Sequence, residues 1–133
     1  MKIKSTRHTV YQIAYHLVWV TKYRRAVLDE TVQARLKTLL PEIAGEHGCE
    51  VVEIEAMPEH VHCFVSAPPK VAPSTVVKIL KGASARKLFT EFPYLQNQLW
   101  KGHLWHPSSY IGTAGNVSAE TIKRYIQNQP TKG

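Results

Sequence analysis

A chain of 133 residues with 44% apolar composition is the size of one domain with a proper buried core. No apolar run approaches the length of a bilayer span, which excludes a helical membrane protein. Seventeen Lys and Arg against ten Asp and Glu leave a net charge of +7, an excess that suits a phosphate-rich partner such as nucleic acid and also serves general solubility. The basic start, Met1 to Arg7, is followed by a run containing Gln12 and His16 with no small-residue cleavage site, so no signal peptide is expected. Cys49 and Cys63 form no Cys-x-x-Cys pair and read as reduced, buried thiols of a cytoplasmic protein.

Residues 8–20 alternate as a long strand, with Tyr11, Ile13, Tyr15, Leu17 and Trp19 on one face and Gln12, Ala14 and His16 on the other. The next stretch, Thr21-Lys22-Tyr23-Arg24-Arg25, sets three cations around one aromatic ring. After a strand that mix suits phosphate contacts and base stacking, and equally a solvated turn. Asp29 is placed to cap a helix over 30–47 whose inward stripe is Val32, Leu36, Leu39, Leu40 and Ile43. Pro41 inside it predicts a kink or a break, and Gly48 predicts a left-handed end.

Residues 49–57 alternate as a second strand, Val52, Ile54 and Ala56 against Val51, Glu53 and Glu55. Only Pro58-Glu59 separates it from a third, His60-Val61-His62-Cys63-Phe64-Val65-Ser66, so the two form an antiparallel hairpin. Side chains two apart on a strand share a face, which puts His60 and His62 together as two ligands of a divalent-metal site. Ordinary strand histidines bonded to backbone carbonyls remain open at this point.

Pro-rich sequence then leads to Ser74, placed to cap a helix over 75–91 with Val76, Ile79, Leu80 and Ala83 inward. Lys78, Lys81 and Arg86 fall on its other side as a basic face, for phosphate or for water. After Phe92-Pro93 a short helical turn runs towards Trp100. A fourth strand candidate follows over Leu104–Thr113, its early part confined to an edge or bulge by Pro107. Gly112, Gly115 and Asn116 make a loop, and Ser118 is placed to cap a last helix over 119–129 that Pro130 stops. On it Tyr125 and Gln129 share a face, offering a phenol and a carboxamide oxygen suited to Mg²⁺ or Mn²⁺, although both also fit a packing stripe with Ile122 and Ile126. The order of elements is the ferredoxin-like, RRM-like βαββαβ pattern of an α+β protein, an antiparallel sheet with helices on one face, plus an extra C-terminal helix. Residues 1–133 read as one domain.

In Tyr15-His16-Leu17-Val18-Trp19, Thr21-Lys22-Tyr23-Arg24-Arg25, Met57-Pro58-Glu59-His60-Val61-His62, Leu80-Lys81-Gly82-Ala83-Ser84-Ala85-Arg86, Leu104-Trp105 and Tyr125-Ile126-Gln127-Asn128-Gln129, the chain resembles the single-tyrosine HUH transposases of small bacterial and archaeal insertion sequences. Glu59 and Gln127 stand where family members commonly carry Asp and Glu. The resemblance implies one Mg²⁺ or Mn²⁺ ion held by His60, His62 and Gln129, attack by Tyr125 on a single-stranded DNA phosphate, and a 5′-phosphotyrosine that is later rejoined to another 3′-hydroxyl. It further implies recognition of DNA hairpins near element ends and a homodimer in which the tyrosine helix of one chain can complete the other's site. Residues 112–117 would form the connecting arm. Lys22, Tyr23, Arg24, Arg25, Lys78, Lys81 and Arg86 are the candidate DNA contacts.

Three other readings stand beside it. A domesticated relative would act on chromosomal repeat hairpins. A non-catalytic single-strand binder would use the sheet as a stacking platform, but no stretch carries the aromatic-rich pattern of such modules. A water-using hydrolase would recruit His103 and His106, which three-residue spacing places on opposite strand faces, or Tyr110 as nucleophile, which has no carboxamide at helical spacing.

Overall fold

Strand β3 (Ala14–Val20) is the centre about which the sheet is built: β5 (His60–Ser66) lies antiparallel on one side and β6 (Tyr110–Thr113) antiparallel on the other. The computed structural model describes residues 4–5, 10–11, 13–99, 102–113 and 124–131. Outside β5 lies β4 (Glu50–Ala56), so the four-stranded order is β4-β5-β3-β6, the ferredoxin-like arrangement that the element order predicts. A separate two-stranded ribbon pairs β1 (Lys4–Ser5) with β2 (Val10–Tyr11). The helices are α1 (Glu30–Glu46), α2 (Pro73–Glu91), α3 (Tyr94–Gln98) and a short α4 over 124–127.

The strand pleat decides which residues meet the helices. Leu17 and Trp19 of β3 and Val61, Cys63 and Val65 of β5 join Val32, Leu36 and Leu40 of α1 and Val76, Leu80 and Leu88 of α2 in one core. Each fully buried Leu or Val there contributes about 1.5–3 kcal/mol through water removal. Trp19 meets Trp105 edge to face, ring centroids 5.9 Å apart. The opposite pleat carries His16, Val18 and Val20, cross-strand from Phe64, His62 and His60. The sheet therefore has one face for packing and one on which polar chemistry is displayed.

Local signals account for most boundaries. The Asp29 side chain accepts from the Val32 N–H at 2.9 Å and so caps α1, and its second oxygen accepts from Tyr94. Gly48, at φ +73°, ends the helix in the left-handed region, where the Cys49 N–H returns to the Ala44 carbonyl. Asp29→Ala is expected to lower the unfolding free energy by about 1 kcal/mol. Urea unfolding should show this as a lower midpoint at unchanged slope.

Five expectations need correction. The strand over 8–20 is not continuous: Val10–Tyr11 belongs to the ribbon and β3 starts at Ala14, while residues 8, 9 and 12 lie outside the described residues. A register shift between Val51 and Glu53 leaves Val52 exposed and turns Val51 to the core, because a bulge inserts one residue and reverses the alternation. Helix α1 is not broken at Pro41. The carbonyl that loses its partner belongs to exposed Lys37, where water can replace the bond. Ser74 does not cap α2: the helix starts two residues earlier than expected, at Pro73, whose fixed φ suits the first helical position and which has no N–H to satisfy. The strand over 104–113 is reduced to β6, with Trp105 making only a single bridge to Thr21, since Pro107 interrupts the ladder. Gly115, Asn116, Val117 and the Ser118 cap lie outside the described residues, and the last helix is described only from Arg124.

Candidate active site

The register between β3 and β5 puts His60 opposite Val20 and His62 opposite Val18, so both histidines occupy the same face, away from α1 and α2. The His60 ring is fixed from behind: its Nδ1 lies 2.8 Å from a Glu59 carboxylate oxygen. Glu59 is itself tied to the end of β3, its carbonyl accepting from the Thr21 N–H at 2.9 Å. A carboxylate on one ring nitrogen orients the other and raises its basicity, the usual support for a metal-bound histidine. His62 is half-buried. Burial first, and then the neighbouring His16, push its pKa down against the opposing pull of Glu55, which favours the neutral imidazole that a metal requires. Its Nε2 lies 3.0 Å from His16 Nδ1, and the His16 ring stacks on Phe64 at 4.7 Å.

Tyr125 and Gln129 reach the same face from its β6 side. Tyr110 is opposite Val18, as His62 is, so Tyr110 and His62 point the same way two strand spacings apart, about 10 Å. The Tyr125 ring packs on Tyr110, centroids 5.9 Å apart. The Tyr125 hydroxyl and the Gln129 Oε1 each lie 3.3 Å from the Ser108 hydroxyl, while Gln129 Nε2 donates to the Tyr125 carbonyl at 2.9 Å. Burial pushes the Tyr125 phenol up, only partly offset by the Ser108 hydrogen bond, so the unassisted side chain is not an anion at neutral pH. Among the described residues no group of three His, Cys, Asp or Glu side chains is set to hold a metal ion. The nitrogen and oxygen donors available are the two imidazoles on one sheet face and the Gln129 carboxamide oxygen on α4.

The candidate DNA contacts divide. Residues 22–25 form a tight turn in which Tyr23 and Arg24 take left-handed φ values of 57° and 52°. Such backbone costs about 1–3 kcal/mol per residue and persists only where the surroundings dictate it. Here buried Thr21 clamps the turn, its hydroxyl donating to the Arg25 carbonyl at 2.6 Å, and the Lys22 N–H donates to the Leu104 carbonyl. Lys22 lies over the Tyr23 ring at 5.5 Å. Arg24 donates to the Ile126 carbonyl at 3.1 Å and so grips the tyrosine helix, while Arg25 donates to the Gln98 carbonyl. On α2, Lys78 and Arg86 are exposed.

Lys81 is different. Its ammonium donates to the carbonyls of His106, Pro107 and Ser108 at 2.7, 3.3 and 3.0 Å and to the Ser109 hydroxyl at 3.0 Å. Burial pulls its pKa down to about 8, and the surrounding acceptors resist loss of the proton. Lys81 thus staples the 106–109 loop. Lys81→Met is expected to lower stability by about 1–3 kcal/mol, measurable by urea unfolding, because it removes the donor from several acceptors at once.

Sequence reasoning missed Ser108 and the His16 contact with His62. A serine in a Pro-Ser-Ser turn has no local pattern that marks it, and the alternation that put His16 on the polar face carried no sign of its partner. His106, considered only as a hydrolase ligand with His103, instead supports the Ser108 turn.

Residues 9–129 match a family model described as transposase, IS200-like. The chain is 45% identical over 132 residues to the ISDra2 transposase TnpA of Deinococcus radiodurans, covering 99% of this chain and 94% of that one. Its fold superposes on the crystal structure of a candidate transposase from Deinococcus radiodurans with a TM-score of 0.90 at 43% identity, over 97% of this chain and 99% of that one. A likeness in fold alone extends to a REP-associated tyrosine transposase bound to a REP hairpin, with a TM-score of 0.54 at 18% identity, over 92% of this chain and 67% of that one.

Proposed function

The chain belongs to the IS200-like transposase family, and is thus a DNA-processing transposase, and from that premise we propose that it cuts and rejoins single-stranded DNA through a covalent 5′-phosphotyrosine on Tyr125. The observation that carries this reading is the meeting of the Tyr125 phenol and the Gln129 carboxamide at Ser108, on the sheet face that also displays His60 and His62. A nucleophile and metal-type donors drawn from different elements to one face are the parts that phosphoryl transfer needs.

His60, His62 and Gln129 would hold one Mg²⁺ or Mn²⁺. Bound there, the ion would polarise a non-bridging oxygen of the scissile phosphate and draw off developing negative charge. Glu59 orients His60, and the lowered pKa of His62 favours the neutral imidazole that a metal ligand must be. The Tyr125 oxygen forms a bond to phosphorus as the bond to the 3′-oxygen breaks. The phenol proton is released to solvent, and the leaving 3′-oxygen takes a proton from solvent to depart as a 3′-hydroxyl. One phosphodiester is exchanged for another, so rejoining to a second 3′-hydroxyl is the same reaction reversed and needs no ATP.

The substrate in this reading is a hairpin near each end of an insertion sequence. Exposed Lys78 and Arg86 and the rigid 22–25 turn supply cationic and aromatic contacts for it. One tyrosine per active site and two ends to cut suggest a homodimer, with the tyrosine helix acting in its own chain or in its partner.

The test is a denaturing gel. A labelled oligonucleotide carrying the hairpin and end that flank the coding element is incubated with Mg²⁺ or with EDTA. A slow band that survives denaturation and requires the ion supports the reading. Cleavage without a protein adduct points to a hydrolase, and tight binding without cleavage to a non-catalytic binder.

A further inference from the structure

The loop between Trp105 and β6 is more firmly held than its sequence, His106-Pro107-Ser108-Ser109, suggests. The His106 N–H donates to the Val20 carbonyl at 2.9 Å, anchoring the loop to the end of β3 beside His60. Lys81 binds the carbonyls of three successive loop residues. The Ser108 N–H donates to His106 Nδ1 at 3.2 Å, and the Ser108 hydroxyl lies 3.1 Å from the same nitrogen. Because Nδ1 accepts from the backbone, it is the unprotonated ring nitrogen, and it braces Ser108 through the main chain, next to the hydroxyl.

This braced hydroxyl then meets both functional side chains of the tyrosine helix, at 3.3 Å from the Tyr125 phenol and 3.3 Å from the Gln129 Oε1. A serine hydroxyl has one proton to give and two lone pairs to offer. It can accept a hydrogen bond from the phenol O–H while donating its own hydrogen to Gln129 Oε1, the brace to His106 Nδ1 then running through the Ser108 N–H. Two other ties hold α4 to the body: Arg24 donates to the Ile126 carbonyl and so holds the helix backbone, and the Tyr110 ring packs on the Tyr125 ring without touching its hydroxyl by a hydrogen bond.

We propose that Ser108 is a positioning residue for strand cleavage: its braced hydroxyl fixes the Tyr125 phenol and the Gln129 carboxamide relative to the sheet, so that the attacking oxygen and the metal-facing oxygen arrive in register. The inference rests on Tyr125 being the nucleophile. Ser108 acts through the two side chains it touches. Misplacement of a reacting oxygen by about 1 Å can cost about a hundredfold in rate, while substrate binding by distant cations is untouched.

Single-turnover adduct formation with the flank oligonucleotide and Mg²⁺ tests this across a range of DNA concentrations, with Ser108→Ala, Ser108→Thr and Tyr125→Phe. Ser108→Ala is expected to lower the maximal rate about ten- to a hundredfold with the half-saturating DNA concentration unchanged. Ser108→Thr, which keeps the hydroxyl, should return most of that rate. An unchanged maximal rate in Ser108→Ala overturns the proposal. So does a loss confined to DNA affinity, or an equal loss in the Thr variant. Each of these outcomes is read beside an inactive Tyr125→Phe, so the nucleophile assignment survives it. An adduct still formed by Tyr125→Phe overturns both readings together.

Discussion

Tyr125→Phe is expected to reduce cleavage and adduct formation at least about a thousandfold while DNA binding changes little. The substitution removes one oxygen and keeps the ring. The packing on Tyr110, ring centroids 5.9 Å apart, is therefore preserved, as is the Arg24 grip on the Ile126 carbonyl. What is lost is the phenol oxygen, the proposed nucleophile, and its contact with Ser108. Burial already holds the phenol above its ordinary pKa, so the native reaction depends on the surrounding site to make the oxygen reactive, and a phenyl ring has nothing to activate. Single-turnover cleavage of end-labelled DNA measures the rate, and a gel shift in EDTA measures binding. Cleavage near the parent rate would assign the chemistry to water or to another residue.

Withholding divalent metal or truncating the proposed histidine ligands should have an effect of similar size. EDTA, His60→Ala and His62→Ala are each expected to lower cleavage about a thousandfold, the scale of several kcal/mol of lost charge stabilisation on the phosphate. Mg²⁺ or Mn²⁺ added back should restore the EDTA-treated protein but neither variant. Glu59→Gln is the graded control. It keeps the His60 ligand but weakens the carboxylate that orients it, so a loss of about ten- to a hundredfold is expected, eased by higher metal concentration. His62 faces Val18, with His16 and Phe64 next to it, and truncation there also opens the polar face to water. A thermal melt of each variant therefore accompanies the rates. Full activity in EDTA would remove the ion from the mechanism.

The legible parts of this protein are those governed by short periods. Alternation over Ala14–Val20 and His60–Ser66 gave the strands, and it put His60 beside His62 on the face that the register then showed. Asp29 and Gly48 marked the ends of α1 because capping is local chemistry. The misses share a different cause. The bulge at Val52 leaves no compositional trace, since Val51 and Val52 are both apolar and either can face inward. Lys81 looked like part of a basic face. Its three carbonyl acceptors lie 25 or more residues along the chain, and only the docking of the 106–109 loop on α2 brings them to it. Tyr125 and Gln129 were readable as an i, i+4 pair, but the Ser108 that joins them comes from a turn 17 and 21 residues away. Local spacing can set two groups on one helix face. It carries no information about which distant hydroxyl lies between them.

The most direct measurement is the site of the covalent bond. The metal-dependent adduct is digested with nuclease and then trypsin, and the peptides are mapped by fragmentation mass spectrometry. The account predicts a nucleotide phosphate on Tyr125, at the start of the tryptic peptide spanning residues 125–132. A nucleotide on Tyr110, whose ring lies against Tyr125 on the same face, would contradict it, as would complete cleavage with no modified tyrosine.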